Sequence, residues 1–374
     1  WNWRLDQDHY SDYATWHSRL QDQGVRVLAY LNPSLVPDPD EVGNDLYRLM
    51  IENDGFVVNG EGSPIEFLNS SFDSNLLDLA NDDAMELWVD TVAERLKSLN
   101  VSGWMADFGE SFPFVEGHNG YPVLWSKWNR TLAERMGLSE PFIFHRSAYV
   151  GSAEVSGAFW LGDQMVDWSS QDGIKSAVTG LLTSGMSGMP VTHSDIGGYT
   201  TIDHPLRSVT RSRELLARWL ELNSFGLIMR SHEGNLPELN SQIYDQEMLP
   251  HVRSSVARFV SLSDYRHRLY EEMEASGVPP IRHPLLEYPQ ISRFWGMRFE
   301  QFFLGSELMV VPVLNSGQSS VDVILPPGEW RLMGSNDVYQ GASGGRLINL
   351  SAPLGSPVAL VMVGSELDRS MSDR

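Results

Sequence analysis

The chain has 374 residues, a formal net charge of −22 and no cysteine. The strong negative charge argues against nucleic acid as a partner, because phosphate binding needs clustered basic side chains, and the lack of cysteine excludes disulfides and thiolate catalysis. Hydrophobic residues make up 42% of the chain, which indicates a globular protein with a large core. Since no run approaches the roughly 20 apolar residues of a membrane span, we predict a cytoplasmic protein without a membrane partner.

Short β-rich segments alternate with amphipathic helical segments over the first three quarters of the chain. The helical pattern is clearest in 83–100 and 211–225. The candidate strands are 25–33, 103–109, 142–148, 159–164, 189–198, 227–234 and 279–286. Because strand and helix in alternation produce a parallel sheet, we predict an α/β fold, a (β/α)8 TIM barrel over 1–290 with its site at the carboxyl ends of the strands. A doubly wound sheet is the competing topology, but no G-x-G-x-x-G fingerprint follows any strand.

The pattern changes after about residue 290, where short strands follow one another with no helical segment between them. These strands are 306–314, 320–330, 345–353 and 357–364, separated by turns rich in Gly, Pro, Ser and Asn. We therefore predict a small antiparallel β-sandwich domain over 291–374, with a frayed tail over 365–374. The chain opens at Trp1 without an initiator Met, so we expect an N-terminally truncated fragment whose barrel lacks its first strands.

Two aspartates, Asp107 and Asp163, come at the ends of candidate strands, in GWMAD and FWLGD. Two carboxyl groups that face each other across a pocket can cleave a glycosidic bond, one attacking the anomeric carbon while the other protonates the leaving oxygen. Trp104 and Trp160 each precede their aspartate by three residues, and aromatic faces suit a sugar ring. Spacing alone also allows each aspartate to be an isolated loop or helix-capping residue.

Four motifs carry a family resemblance. In this order and separation, GWMADFGE, FWLGDQ, HSDIGGYT and MRSHEGN resemble glycoside hydrolase family 31, the retaining α-glucosidase family. MADFGE and GDQ are similar to its sulfoquinovosidase branch, which cleaves α-sulfoquinovosides. The resemblance implies that Asp107 is the nucleophile and Asp163 the general acid/base, with carboxyl groups about 5–5.5 Å apart. An ionised Asp107 would raise the pKa of a nearby Asp163 and keep that carboxyl protonated.

The resemblance also implies which residues bind the sugar. Arg146 and His232 match residues that hydrogen-bond the sugar hydroxyls, and Trp104 and Trp160 match the aromatic walls around the ring that is cleaved off. Arg146 supplies a planar fork of donors that stays charged at any working pH. The implied substrate is a small-molecule α-glycoside, the implied reaction needs no metal and no cofactor, and the formation of homo-oligomers is left open.

The sulfoquinovosidase branch binds the sulfonate with an Arg, a Gln, a Trp and a Tyr that acts through water. Trp1 matches that Trp, and Tyr199, in GGYT, matches that Tyr; packing at the barrel rim is the alternative role of both residues. The resemblance places the Arg just upstream of Trp1 and the Gln further upstream. Because a permanently anionic sulfonate needs a compensating cation, we expect that Arg in the complete protein.

Three further polar residues have weaker claims to a role. Asp195 is interpreted as structural, orienting a loop, with catalysis as the alternative. His193 and Asp195 have the H-x-D spacing of a metal motif, but no second histidine pair at ligand spacing accompanies them. Glu110 is interpreted as a support of the nucleophile loop.

Two other functions stay open at this point. An α-glucosidase or transglucosidase that acts on neutral glucosides would use the same carboxyl pair, and the residues upstream of Trp1 would distinguish it. A non-catalytic sugar-binding relative would need neither a nucleophile nor an acid, so the combination of Asp107, Asp163 and Arg146 argues against it.

Overall fold

The computed structural model describes residues 1–37, 45–69 and 72–372. They form two compact units, Trp1–Phe159 and Trp160–Arg374. Among these described residues, no helix combines the length and the apolar character that crossing a bilayer requires.

In the described residues of the first unit, four α-helices accompany a parallel and an antiparallel sheet. The helices are α1 (Tyr13–Asp22), α2 (Asp45–Glu52), α3 (Asp82–Leu99) and α4 (Tyr121–Met136). The strands are β1 (Ala29–Leu31), β2 (Ser34–Leu35), β3 (Glu66–Asn69), β4 (Phe72–Leu76), β5 (Gly103–Ala106), β6 (Phe142–His145) and β7 (Ala158–Trp160), the last of which ends in the second unit.

The parallel sheet of the first unit has the strand order β1-β5-β6-β7. Helix α3 precedes β5 and α4 follows it, which is the strand and helix alternation predicted from the sequence. The start of α3 is capped by Asn81, whose side chain accepts a hydrogen bond from the Ala84 N–H, and Asp82 and Asp83 lie in its first turn. Its end is marked by Asn100 in the left-handed conformation.

Side-chain alternation along β5 separates core residues from site residues. Trp104 and Ala106 are fully buried with α3 and α4 residues such as Trp88 and Trp125. Because successive side chains of a strand point to opposite faces, Asp107 lies on the face away from this core. The strand therefore delivers a carboxylate to one side of the sheet while Trp104 anchors the other.

Strands β2, β4 and β3 form an antiparallel sheet in that order, inserted between β1 and α3. The sequence analysis predicts no strand in this part of the chain. The segment FLNSSFDSNL is rich in Asn, Asp and Ser, residues that are depleted in strands or favour turns. Its strands therefore depend on pairing with one another rather than on local preference.

Up to residue 372, where the described chain ends, the second unit contains six α-helices and the remaining strands. The helices are α5 (Ile174–Met186), α6 (Arg213–Asn223), α7 (Leu249–Ser261), α8 (Ser263–Ser276), α9 (Pro284–Glu287) and α10 (Glu366–Ser372). The strands are β8 (Thr192–His193), β9 (Asp195–Ile196), β10 (Ile202–His204), β11 (Arg207–Val209), β12 (Arg230–Ser231), β13 (Ile281–Arg282), β14 (Phe302–Leu304), β15 (Leu308–Val311), β16 (Ser320–Leu325), β17 (Glu329–Leu332), β18 (Val338–Gln340), β19 (Arg346–Ser351) and β20 (Val358–Met362). Strands β9 and β12 pair in parallel, as the predicted alternation requires.

The C-terminal strands form two antiparallel sheets, one of six strands in the order β13-β14-β15-β20-β17-β18 and one of β16 and β19. Met309 and Val311 of β15 pack in a cluster with Val323 of β16, whereas Leu308 and Val310 pack with the helices of the unit. Strand β15 is thus buried on both faces, which explains its continuous apolar sequence. This is the sheet-on-sheet packing of the predicted β-sandwich.

Two predictions about individual elements are wrong. Segment 279–286 was expected to complete the parallel series, but β13 pairs antiparallel with β14, with Ile281 opposite Leu304. A short apolar run carries no information about its partner strand. The predicted frayed tail forms α10, because Asp368 accepts hydrogen bonds from Arg331 and from the Gly364 N–H while Leu367 is buried. Residues 373–374 lie outside the described residues, and the domain boundary at residue 290 stays a prediction.

Candidate active site

Asp107 directly follows β5, and only 7% of the residue is exposed. Its Oδ2 accepts a 2.5 Å hydrogen bond from the Tyr30 hydroxyl. Its Oδ1 accepts one from the Phe108 N–H at 2.8 Å and lies 3.1 Å from Arg146 Nη1. Both carboxylate oxygens are therefore held by donors, two from neighbouring strands and one from the turn that follows β5.

The register of the parallel sheet brings these groups together. Tyr30 lies opposite Met105, and the Asp107 N–H donates to the Leu31 carbonyl at 2.8 Å. Because side chains two apart share a face, Tyr30 and Met105 point to the same side of the sheet as Asp107. Asn32, two residues further along the same face, donates its amide to the Tyr30 hydroxyl at 3.3 Å.

The turn after Asp107 has an unusual backbone. Phe108 has a φ of 55° and Gly109 a φ of 93°, and such a left-handed conformation is costly for a bulky residue. A Cβ on Gly109 would lie 2.5 Å from Ser147 Oγ and 2.9 Å from Trp125. Ser147 Oγ in turn donates to the Phe108 carbonyl at 2.7 Å. The tight turn directs the Phe108 N–H back onto the carboxylate.

Arg146, at the carboxyl end of β6, is the principal cation near Asp107. Its guanidinium forms ion pairs with Asp107 and Glu110 and lies 4.1 Å above the Phe108 ring. Burial raises the pKa of Asp107, and the charge of Arg146, the Tyr30 hydrogen bond and the Phe108 N–H partly offset that increase. Burial and the Asp107 charge also raise the pKa of Tyr30, so its phenol stays protonated and donates. The arrangement suits a carboxylate that attacks an electrophilic carbon.

Trp1 is the only other predicted site residue of the first unit that the described structure brings close to Asp107. Its ring lies 5.7 Å from that of Phe108, the residue next to Asp107, and is stacked on Trp3 at 6.4 Å. Trp1, Asp107 and Arg146 therefore lie in one region, because the Phe108 ring contacts both Trp1 and Arg146.

Trp104 does not belong to this region. It is fully buried in the hydrophobic core, and its indole N–H donates to Asn129 Oδ1 of α4 at 2.5 Å. The prediction that it forms a wall of the sugar site is wrong, because an offset of three residues in a strand places Trp104 and Asp107 on opposite faces.

In the second unit, Asp163 follows β7 and is exposed. Its carbonyl accepts a 2.6 Å hydrogen bond from Thr200 Oγ1, and the Tyr199 N–H donates to the Gln164 carbonyl at 2.8 Å. Gly198 has a φ of 77°, and a Cβ there would lie 2.8 Å from the Met165 carbonyl. The glycine allows the two segments to approach, so Asp163 and Tyr199 lie on adjacent backbones.

His232 contacts Tyr199 edge to face, with ring centroids 4.8 Å apart and an interplanar angle of 88°. Its Nδ1 accepts a 3.0 Å hydrogen bond from the Gly234 N–H. Burial, followed by the charges of Arg230 and Arg211, lowers the pKa of His232 to about 4. The ring is therefore neutral at working pH and carries its proton on Nε2, where it can donate to a ligand oxygen.

A buried polar cluster lies beside these residues. Arg230 Nε donates to His193 Nε2 at 2.9 Å, its guanidinium pairs with Asp195, and it lies 5.7 Å from the centre of the buried Trp160 ring. Burial and the charge of Asp163 raise the pKa of Asp195 to about 6, against the opposing effect of Arg230. His193 and Asp195 thus bind an arginine, and no group of three or more His, Cys, Asp or Glu side chains within the described ranges could hold a metal ion.

The sequence analysis missed Tyr30, Arg230 and Arg211. A signal existed for the first two: Tyr30 lies in AYLN, where polar side chains alternate at the end of a strand, and Arg230 is a lone cation directly after an apolar run. Arg211 lies in a stretch with no motif, and nothing in its local sequence predicts that it is buried.

Acidic residues that follow parallel strands alternating with helices are typical of TIM-barrel enzymes. The model of the glycosyl hydrolases family 31 TIM-barrel domain matches residues 1–270, and the family 31 C-terminal domain model matches residues 277–365. The chain belongs to glycoside hydrolase family 31. The family and the fold class predicted from the sequence, a TIM barrel followed by an antiparallel β-sandwich, are confirmed.

Several similar proteins are sulfoquinovosidases. Sulfoquinovosidases of Escherichia coli and Agrobacterium fabrum are each 32% identical to this chain, over 98% and 99% of its length. A solved structure of a family 31 sulfoquinovosidase from E. rectale, in complex with an aza-sugar inhibitor, superposes with a TM-score of 0.90 at 32% identity over 100% of this chain. The chain covers 54–56% of these three proteins, so it spans about half their length.

Proposed function

We propose that the complete protein is an exo-acting α-glycoside hydrolase that retains the anomeric configuration, with Asp107 as nucleophile and Asp163 as general acid/base. The observation that carries the proposal is the setting of Asp107, a buried carboxylate with a donor on each oxygen and the Arg146 charge beside it. A carboxylate held in this way is oriented and largely shielded from water, and its donors and the Arg146 charge favour its ionised form, as a nucleophile requires.

In the first half of the reaction, a carboxylate oxygen of Asp107 bonds to the anomeric carbon. The bond from that carbon to the leaving oxygen breaks, and Asp163 transfers its proton to this oxygen. Asp163 is exposed at a loop, a position from which it can exchange its proton with solvent. The product of this half is a glycosyl ester of Asp107.

In the second half, water attacks the anomeric carbon of the ester. Asp163, now ionised, accepts a proton from that water, and the bond between the sugar and Asp107 breaks. The carboxylate leaves with its negative charge restored, and Tyr30 and Arg146 stabilise that charge as it develops. Two inversions at one carbon give net retention.

The sugar hydroxyls would be bound by Arg146 and His232. Arg146 has ring and carboxylate partners that fix its orientation, and its planar fork of N–H donors suits the recognition of sugar hydroxyls. His232 presents a neutral Nε2–H whose direction is fixed by the bond from the Gly234 N–H. Trp160 is buried and lies beside Arg230, so it would support that arginine rather than contact the sugar ring.

The proposed sugar is sulfoquinovose, with an anionic sulfonate at C6. The support comes from the sulfoquinovosidases that are 32% identical over nearly the whole chain, and from Trp1 and Tyr199, which match the Trp and the Tyr of the sulfonate site. The test compares kcat/KM for 4-nitrophenyl α-sulfoquinovoside and 4-nitrophenyl α-glucoside in the complete protein. We expect a preference for the sulfoquinovoside of at least about a hundredfold, as for a site built around a charged group.

Neutral α-glucosides are the second candidate substrates. Proteins named α-glucosidase are also similar to this chain, at 25–29% identity over part of its length. A higher kcat/KM for 4-nitrophenyl α-glucoside would identify neutral α-glucosides, rather than sulfoquinovosides, as the substrates. Binding of either sugar without any turnover would favour a non-catalytic sugar-binding protein.

A further inference from the structure

Arg211 is a buried arginine whose own contacts have not yet been described, and only 2% of it is exposed. A guanidinium has five N–H donors, and all five are used. The acceptors are the carbonyls of Ser241, Gly198, His232 and Glu233 and the side-chain oxygen of Gln242, at 2.8–3.0 Å. Every acceptor is neutral, so the contacts serve geometry rather than pairing of charge.

Three of these acceptors, Gly198, His232 and Glu233, lie in the two loops that carry Tyr199 and His232. Gly198 immediately precedes Tyr199, and the carbonyl of His232 itself accepts from Nη1. One nitrogen thus bonds to both loops. In one loop it bonds to the residue before Tyr199 and in the other to His232 itself, and the rings of these two residues are in edge-to-face contact. The Arg211 guanidinium therefore links the backbone next to Tyr199 to the backbone of His232.

Neighbouring groups also fix the side chain and the backbone of Arg211. A Cβ on Gly197 would lie 2.4 Å from Arg211 Cδ, so the glycine makes room for the side chain. The Arg211 N–H donates to Asn240 Oδ1 at 2.8 Å, and the same oxygen accepts from Thr201 Oγ1 at 2.9 Å. Gln242 also donates to the Glu233 carbonyl at 3.0 Å, which ties the acceptor side together.

We propose that Arg211 is a positioning residue of the sugar site, which fixes Tyr199 and His232 relative to each other through the two loops. The inference rests on the proposed function, in which both residues bind the sugar. A lysine in its place has three donors on one flexible point and cannot bond both loops as the planar fork does. Its ammonium keeps the charge, so Arg211→Lys isolates geometry from electrostatics.

The test is a double-mutant cycle in the complete protein with Arg211→Lys and His232→Ala, measured as kcat/KM. We expect Arg211→Lys alone to reduce kcat/KM about tenfold or more, because small misplacements of binding groups are costly. In the His232→Ala background, the same change should cost less than about threefold, since the group it positions is already gone.

Arg266→Lys is the matched control. Arg266 is also buried, and it donates to the backbone carbonyls of Gly226, Ser224 and Phe259. Gly226 precedes β12, whereas His232 follows it. We expect this variant to lower the melting temperature as Arg211→Lys does, yet to change kcat/KM less than about twofold and equally in both backgrounds.

Additive effects of Arg211→Lys and His232→Ala in the active enzyme would overturn the proposal. A wild-type protein without glycosidase turnover would instead contradict the proposed function. In that case a crystal structure of Arg211→Lys tests the positioning role by itself: Tyr199 and His232 rings that keep their 4.8 Å contact contradict it, and rings that separate support it. If Arg211→Lys does not fold, Gln242→Leu removes one acceptor of the guanidinium and should give the same non-additivity with His232→Ala; additivity in that cycle would also overturn the proposal.

Discussion

The Tyr30 hydroxyl donates a 2.5 Å hydrogen bond to Asp107 Oδ2 from the neighbouring parallel strand. A hydrogen bond to an ionised carboxylate is short and among the stronger ones in proteins. Because burial and the Asp107 charge raise the pKa of Tyr30, the proton stays on the phenol. The bond therefore stabilises the charged form of Asp107, the form that the proposed mechanism needs.

Removal of this bond should shift the pH dependence of the reaction. In Tyr30→Phe the charged form of Asp107 loses a donor, so its pKa, already raised by burial, should increase further. We expect the acidic limb of the kcat/KM profile to move to higher pH and kcat/KM on its plateau to fall about tenfold. Tyr47→Phe is the control, since Tyr47 donates to the neutral Asn75 side chain; an acidic limb that moves equally in both variants contradicts the assignment.

The two aspartates should respond differently to the leaving group. Asp107→Asn should abolish turnover of every substrate, because no glycosyl ester can form. Asp163→Asn should reduce kcat/KM strongly for alkyl glycosides and much less for 4-nitrophenyl glycosides, whose leaving group departs with little protonation. Equal losses with both leaving groups would show that Asp163 is not the acid.

His232 should make the protein less stable in mild acid. Its pKa falls from the ordinary 6.5 to about 4 in the folded protein, so between these values the unfolded state binds more protons. The stability that the neutral ring contributes is complete above pH 6.5 and is lost as the pH falls through this window. We expect the free energy of unfolding to drop less between pH 7 and pH 4.5 in His232→Gln than in the wild type. Identical drops in urea denaturation would contradict the lowered pKa.

Tyr199 should matter for the charged sugar alone. If it binds the sulfonate through water, Tyr199→Phe should reduce kcat/KM for 4-nitrophenyl α-sulfoquinovoside about tenfold and leave the glucoside within about twofold. Tyr244→Phe is the control, because Tyr244 is exposed and donates to Glu233. A loss of the same size with both sugars would assign Tyr199 to packing against His232 instead.

The sequence predicted the residues that depend on local pattern and missed those that depend on register. Asp107 was predicted because it follows an apolar strand, which is visible along the chain, whereas Arg146 was implied by the family resemblance. The Tyr30 bond requires β1 beside β5 in one register, a contact between residues 77 apart. Trp104 was assigned to the site from its distance along the sequence alone, without regard to the alternation of side chains in a strand. Only residues at an even offset from Asp107 lie on the same face of the strand as Asp107.

The same distinction between local pattern and distant contacts applies to the fold. Alternation of strand and helix predicted the parallel sheet, and turn-rich apolar runs predicted the C-terminal sandwich. The partner of β13 and the docking of α10 depend on contacts with distant segments, β14 and Arg331, which no local pattern encodes. The buried position of Arg211 is of the same kind, because its five acceptors come from three separate loops.

The central claim is that Asp107 forms a covalent bond to the sugar, and trapping tests it most directly. In 5-fluoro-α-sulfoquinovosyl fluoride, the ring fluorine slows both steps while the fluoride leaving group keeps the first step faster, so the glycosyl ester accumulates. Tryptic digestion yields residues 98–127, which contain Asp107, and residues 147–175, which contain Asp163. We predict an added sulfoquinovosyl mass on Asp107 in the first peptide. An adduct in the second peptide, or release of a product with inverted configuration and no adduct, would contradict the account.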